Sequence, residues 1–177
     1  MKLSKFELNG KIALITGASG LLGIEHAYAL LESGAKVVLT DISRNGLAIA
    51  RERLTETFDE KNIIIEKMDV TDKNAINEVS KKFVNQNMRI DILINNAAID
   101  PKMTKEKEVD ASSRFENFDI DQWNLELNVG LSGAFLCSQI FGSKMAEDDK
   151  GGVILNIASD LSVISPDQRL YMQDGIS

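Results

Sequence analysis

Residues 11–23 read KIALITGASGLLG, and this stretch decides the fold. Lys11 to Thr16 (KIALIT) is a short apolar run of the kind that forms a buried strand. Gly17, Gly20 and Gly23 follow at once, and Leu21 to Ser33 has the composition of a helix, closed by Gly34 at a left-handed terminal position. Strand, glycine turn and helix in that order make a phosphate cradle. Gly17 permits the tight turn, Gly20 lets backbone approach a pyrophosphate, and Gly23 allows close packing of helix on sheet. The free N–H groups from Ser19 through Leu21 and Leu22 then meet the phosphates, assisted by the helix dipole. A glycine triplet also serves ordinary turns. Its place between a strand and a helix is what gives it weight.

Outward from this unit the same rhythm continues. Strands are expected over Lys36–Thr40, Asn62–Lys67, Ile90–Asn95 and Gly152–Ala158. Helices are expected over Arg44–Phe58, from about Asp72 to Gln86, and within Ile120–Met145. The apolar runs are continuous rather than alternating, as in strands covered on both faces. Regular alternation of strand and helix implies right-handed βαβ units, hence an α/β fold with a doubly wound parallel sheet in the order 3-2-1-4-5. The crevice then lies where the winding reverses. Residues 99–118 break the rhythm, mixing Lys and Glu after an Asp-Pro start. They read as a solvated surface insertion, with a substrate-facing rim as the second reading because they follow the carboxyl end of the fourth strand.

Asp41 ends the second strand, 18 residues beyond Gly23, with Ile42 beside it. An acidic side chain there accepts hydrogen bonds from the adenosine ribose hydroxyls and meets a 2′-phosphate with like charge, so NAD(H) is favoured over NADP(H). The competing reading makes Asp41 a cap for the next helix, and Arg44 nearby softens the discrimination.

The 177 residues are 44% hydrophobic, which excludes wholesale disorder. A net charge of −7 argues against nucleic acid and anionic membranes as partners. One cysteine, Cys137, excludes an internal disulfide and a Cys-based zinc site, and His26 as the sole histidine argues against Ser-His-Asp chemistry and His-rich metal centres. No apolar leader core and no run long enough for a membrane span is visible, so a soluble cytoplasmic protein is expected.

With Asn95-Asn96-Ala97-Ala98 after the fourth strand, the chain resembles the short-chain dehydrogenase/reductases along essentially its whole length. The Thr16-Gly17 start of the turn, the Asp69-Val70 pair, Asn128 in LELNVGLSGAFL and Ser159 in ILNIAS carry the same resemblance. It implies that Asp69 contacts the adenine amino group and that Asn96, Ala97 and Ala98 line the cofactor. It also implies that Ser159 hydrogen-bonds the substrate oxygen, and that Asn128 supports a proton-relay water. Read by itself, Ser159 is a turn residue. Asn128, amid Leu127, Val129 and Leu131, reads either as a buried amide with a purpose or as a helix kink or a capped backbone group. The helix from Trp123 to Met145 resembles one that pairs with its symmetry mate, so a homo-oligomer is expected, and Trp123 is expected to pack on a neighbouring element.

Two departures from the family pattern concern the cofactor. The glycine spacing TGxxGxxG is more usual in the extended branch acting on nucleotide sugars, and Ala98 stands in place of a glycine. A third concerns catalysis. The family motif is YxxxK, but four residues after Tyr171 stands Gly175, and without the lysine's charge a phenol is a poor acid–base group at neutral pH. The reading adopted is that Tyr171 is a loop residue and that the motif lies beyond Ser177. Residues 160–177 (DLSVISPDQRLYMQDGIS) resemble a loop in members linked to flagellin modification and bacterial surface-sugar metabolism. Family members run to roughly 250 residues, so residues 1–177 are expected to form one incomplete dinucleotide-binding domain lacking its C-terminal strands. The function expected of the longer protein is NAD(H)-dependent interconversion of a secondary alcohol and a ketone on a sugar-like small molecule. A non-catalytic nucleotide-binding module, or a sugar-nucleotide epimerase or dehydratase of the extended branch, stand as alternatives.

Overall fold

The computed structural model describes residues 6–99, 117–147, 150–159 and 163–164. The expectations placed on Tyr171, on Gly175 and on most of the segments 99–118 and 160–177 lie outside the described residues.

Five strands form one sheet: β1 (Ile12–Thr16), β2 (Lys36–Asp41), β3 (Ile63–Lys67), β4 (Ile92–Asn95) and β5 (Val153–Asn156). Their order is β3-β2-β1-β4-β5, and every neighbouring pair is parallel, so the doubly wound sheet read from the sequence is the one observed. Between them run α1 (Leu21–Glu32), α2 (Arg44–Thr55), α3 (Lys73–Asn85), α4 (Ile120–Leu127) and α5 (Gly133–Ala146).

Continuous apolar strands make sense once both faces are seen. Leu14 and Val38 point into a core with Ile76 and Phe83 of α3 and Phe141 of α5. Their neighbours Ile15, Val37 and Leu39 point the other way, against Ala27 and Leu31 of α1 and Leu47 and Leu54 of α2. Each fully buried Leu, Ile or Phe contributes roughly 1.5–3 kcal/mol by leaving water, so the two cores together dominate the stability of the sheet.

Local chemistry sets the helix ends. Ser43 caps α2, its Oγ accepting from the Gly46 N–H at 3.0 Å. Asp72 caps α3 through Asn74 N–H, and Asp119 caps α4 through Asp121 and Gln122 N–H. Gly34 after α1 takes φ +94°, the left-handed closure expected of it. At the amino ends of the strands, Asp91 accepts from Ile12 N–H at 3.0 Å and pairs with Arg89 at 2.5 Å; Arg89 also reaches the Gly151 carbonyl. That latch ties β1, β4 and the approach to β5 together.

Some boundaries differ from the sequence reading. α2 stops at Thr55 rather than Phe58, where the Thr57 and Phe58 N–H groups both turn back to the Leu54 carbonyl. β4 starts at Ile92 rather than Ile90. The long helix is interrupted between α4 and α5 by a π-helical turn over Asn128–Ser132. Trp123 is 51% exposed and does not pack into the described core. β5 spans Val153–Asn156 rather than Gly152–Ala158, and all four of its residues are exposed.

Candidate nucleotide-binding site

The carboxyl ends of β1, β2 and β4 converge on the glycine turn. Gly17 has φ +61°, and a Cβ there would lie 2.8 Å from the Ala97 Cα. Its glycine is demanded twice, by backbone and by space. A Cβ on Gly23 would lie 2.6 Å from both the Ala18 Cα and the Gly17 carbonyl oxygen. Gly23 therefore packs α1 against the glycine turn itself rather than against the sheet, which refines its expected role. A Cβ on Gly20 would meet only the Gly17 oxygen, at 3.3 Å. Gly20 is the residue before the first turn of α1, and its open side faces the helix N-terminus, where Leu21 is 80% exposed and Leu22 is also exposed. Orphan N–H groups, a helix dipole and free space meet here, which is what a pyrophosphate needs.

The floor of the site is held by one hydroxyl. Thr16 Oγ1, buried, accepts from the N–H groups of Asn96 and Ala97, each at 3.0 Å. Asn96 returns the tie through its side-chain amide, donating to the Thr16 and Gly17 carbonyls at 3.0 and 3.1 Å. Asn96 and Ala97 are thus fixed directly against the glycine turn, while Ala98 beyond them is exposed.

Asp41 sits at the end of β2 with its carboxylate aimed at the turn. Oδ2 accepts from the Ser19 N–H at 3.2 Å and the Ser19 hydroxyl at 2.7 Å, and Oδ1 accepts from the Ser43 N–H at 3.0 Å. The cap of α2 is Ser43 and not Asp41, so the capping alternative for Asp41 falls away. Ile42 beside it is exposed. On the next loop, Asp69 is exposed and its Oδ1 accepts from Thr71 N–H and hydroxyl at 2.8 and 2.7 Å. Val70 is buried under Gly133, whose absent Cβ would lie 2.8 Å from Val70 Cγ2. That close approach seats the start of α5 over the Asp69–Val70 loop.

Asn128 and Ser159 stand on separate elements. Asn128 opens the π-helical turn and is exposed, so of its two readings the buried amide is corrected and the helix irregularity is the one observed. A π-turn inserts one residue into the helical ladder and recurs at functional sites. Ser159 follows β5 by three residues, at the same sheet end as Asn96 because the strands are parallel. A partly buried polar node centred on Asn95, at the end of β4, was not found from the sequence. Asn95 Nδ2 donates to Asn156 Oδ1 at 2.7 Å and to Ser138 Oγ at 3.0 Å. Its only sequence signal was a polar residue ending an apolar strand.

The remaining candidates are structural. Cys137 is wholly buried, and burial pushes its thiol up to about 12. His26 is half-buried on α1, and its Nε2 has no partner among the described residues. No cluster of metal-ligating side chains occurs among the described residues. No described helix is long and apolar enough to cross a membrane. A groove of about 440 Å³ between α3 and α5, lined by Phe83, Met88, Arg89, Phe141 and Lys144, opens at the far end of the sheet from the glycine turn.

A parallel sheet in this order, with a glycine cradle on β1 and an acidic end to β2, defines a dinucleotide-binding α/β protein. The family model for short chain dehydrogenases matches residues 11–171, and the chain belongs to that family. An uncharacterized oxidoreductase of Thermotoga maritima is 32% identical over 165 residues, covering 93% of this chain and 59% of that protein. D-threitol dehydrogenase of Mycolicibacterium smegmatis is 30% identical, over 93% of this chain and 58% of that protein. Among solved structures, a gluconate 5-dehydrogenase of Burkholderia cenocepacia in complex with NADP aligns at TM-score 0.75 and 30% identity, covering 93% of this chain and 59% of that one. An NAD+-bound xylitol dehydrogenase aligns at TM-score 0.73 and 28% identity, covering 89% and 56%. The chain thus spans less than two thirds of the length of these relatives.

Proposed function

We propose that this chain binds NAD(H) across the carboxyl ends of β1, β2 and β4, as the nucleotide-binding part of an oxidoreductase that interconverts a secondary alcohol and a ketone. The observation that carries the reading is the Asp41 carboxylate, held at the end of β2 by Ser19 and Ser43. A carboxylate in that place accepts from a ribose hydroxyl and repels a 2′-phosphate. The chemistry the dinucleotide supplies when bound is hydride exchange at the carbinol carbon.

The chain's own residues divide the remaining work. The N–H groups of Leu21 and Leu22 at the start of α1 take the pyrophosphate, with Gly17, Gly20 and Gly23 making room for it, while the N–H of Ser19 is held by Asp41 and that of Gly20 by the Gly17 carbonyl. Ile42, Val70 and the Asp69 carboxylate frame the adenine, and Asn96, Ala97 and Ala98 line the ribose and nicotinamide side. Ser159 donates its hydroxyl to the substrate oxygen, and Asn128 at the π-turn holds a water for proton transfer. The substrate class is a polyhydric small molecule, supported by relatives that act on threitol and xylitol. Exposed Ile120, Trp123, Leu127, Leu131 and Phe135 recur at three- and four-residue intervals along α4, the π-turn and α5, and form the face for self-association.

Titration of the intact protein with NADH and NADPH, read by nicotinamide fluorescence, tests the cofactor assignment; equal or tighter NADPH binding sinks it. Turnover with a panel of polyols and sugar acids tests the reaction class. Ser159→Ala should abolish turnover while leaving the NADH dissociation constant unchanged, and retained turnover would remove Ser159 from the chemistry.

A further inference from the structure

We propose that Ser19 is a specificity-determining positioning residue, which locks the Asp41 carboxylate so that the site discriminates between the two dinucleotides. The inference deepens the NAD(H) reading and rests on it. A carboxylate offers about four lone-pair positions. Three are taken by the protein: two on Oδ2, by the N–H and hydroxyl of Ser19, and one on Oδ1, by the N–H of Ser43. One position on Oδ1 is left for a ribose hydroxyl. Because both oxygens are tethered, from the glycine turn on one side and the start of α2 on the other, the carboxylate cannot rotate away from an incoming 2′-phosphate.

A second feature guards the lock. A Cβ on Gly46 would lie 2.7 Å from Ser19 Oγ, 2.9 Å from Ser19 Cβ and 3.1 Å from Ser43 Oγ. Gly46 stands in the first turn of α2, where a glycine weakens a helix relative to alanine, so its presence there has to be accounted for by packing. The room it leaves is occupied by the hydroxyl that holds Asp41. Discrimination therefore resides in Asp41 together with Ser19 and the notch at Gly46, and not in the acidic residue alone.

The test compares dissociation constants for NADH and NADPH in the intact protein and in its Ser19→Ala and Gly46→Ala variants, with thermal unfolding followed in parallel. Removing one charge-assisted hydrogen bond should lower the preference for NADH about ten-fold in Ser19→Ala. Most of that change should come from improved NADPH binding by a carboxylate free to turn. Gly46→Ala, which keeps both Ser19 and Asp41 but crowds the Ser19 side chain off its partner, should shift the ratio in the same direction, with the melting temperature separating that shift from the strain of a methyl group 2.9 Å from Ser19 Cβ. A parent protein that prefers NADH and variants that keep its ratio would overturn the role of Ser19 while leaving the cofactor reading intact. Equal weakening of both nucleotides would overturn it as well, because a purely structural role has that signature. A parent protein with no preference for NADH overturns both.

Discussion

A single hydroxyl, Thr16 Oγ1, accepts the N–H groups of both Asn96 and Ala97 at 3.0 Å, joining the end of β1 to the loop after β4. Residues 80 positions apart in the chain thereby meet at the floor of the nucleotide site. Thr16→Val preserves the shape and leaves two N–H groups without their acceptor. Each such group costs about 1–3 kcal/mol, so we expect about 2–6 kcal/mol of lost stability in urea unfolding, and weaker NADH binding. Thr16→Ser keeps the oxygen and loses one methyl group, for about 1 kcal/mol. Equal losses in the two variants would show that the hydroxyl is not the tie.

Gly23→Ala is expected to damage the site from the helix side. The added Cβ would meet backbone atoms at 2.6 Å, and backbone cannot step aside as a side chain does. Overpacking of this kind costs typically 1–3 kcal/mol, and here it also pushes α1 away from the turn whose N–H groups face the phosphates. Chemical denaturation should show that loss, with NADH affinity falling alongside it. Gly20→Ala, whose Cβ would meet one oxygen at 3.3 Å, should leave stability nearly unchanged and report only on nucleotide binding. A Gly23→Ala protein as stable as its parent would refute the packing argument.

These contrasts mark what a linear reading of the chain can see. The strand order, the glycine turn and Asp41 were legible because each is local: a period, a spacing, or a residue type at the end of a run. The Thr16 hub, the Asn95–Ser138–Asn156 node and the notch at Gly46 were not, since each depends on partners brought from distant elements. Asn128 shows the same limit from the other side. Its apolar neighbours in sequence suggested burial, yet Leu127 at the end of α4 and Leu131 in the π-turn are exposed, and Asn128 between them is exposed too.

Cys137 gives a pH prediction with a definite sign. Burial raises its thiol from an ordinary value of 9.0 to about 12, so the folded protein holds the proton after the unfolded chain has released it. The stability contribution is complete below pH 9 and is lost as pH climbs from there toward 12, at up to about 1.4 kcal/mol per pH unit from this group. Comparing the parent with Cys137→Ala isolates the effect, since every other titrating group is common to both; the alanine variant should show a shallower fall above pH 9. In native protein at pH 8 a maleimide should leave the thiol unmodified, and it should react once urea unfolds the chain. Rapid labelling of the native state would contradict the burial on which both expectations rest.

The contact between Gly133 and Val70 predicts a coupled pair. With a Cβ at position 133 falling 2.8 Å from Val70 Cγ2 and 3.0 Å from its Cβ, Gly133→Ala alone should cost about 1–3 kcal/mol and loosen α5 from the Asp69–Val70 loop. Val70→Ala alone removes buried apolar volume and should cost about 1–2 kcal/mol. Made together, the two changes relieve each other, because the smaller side chain at position 70 vacates the space that the new methyl group needs. The double variant should therefore be more stable than the sum of the single losses implies, by at least about 0.5 kcal/mol. The Val70 carbonyl oxygen, 3.3 Å from the same Cβ, is not removed by the substitution, so rescue should be partial and not complete. Strict additivity across the four proteins in urea unfolding would mean that the helix already adjusts around position 133, and that the close approach of α5 does not depend on the glycine.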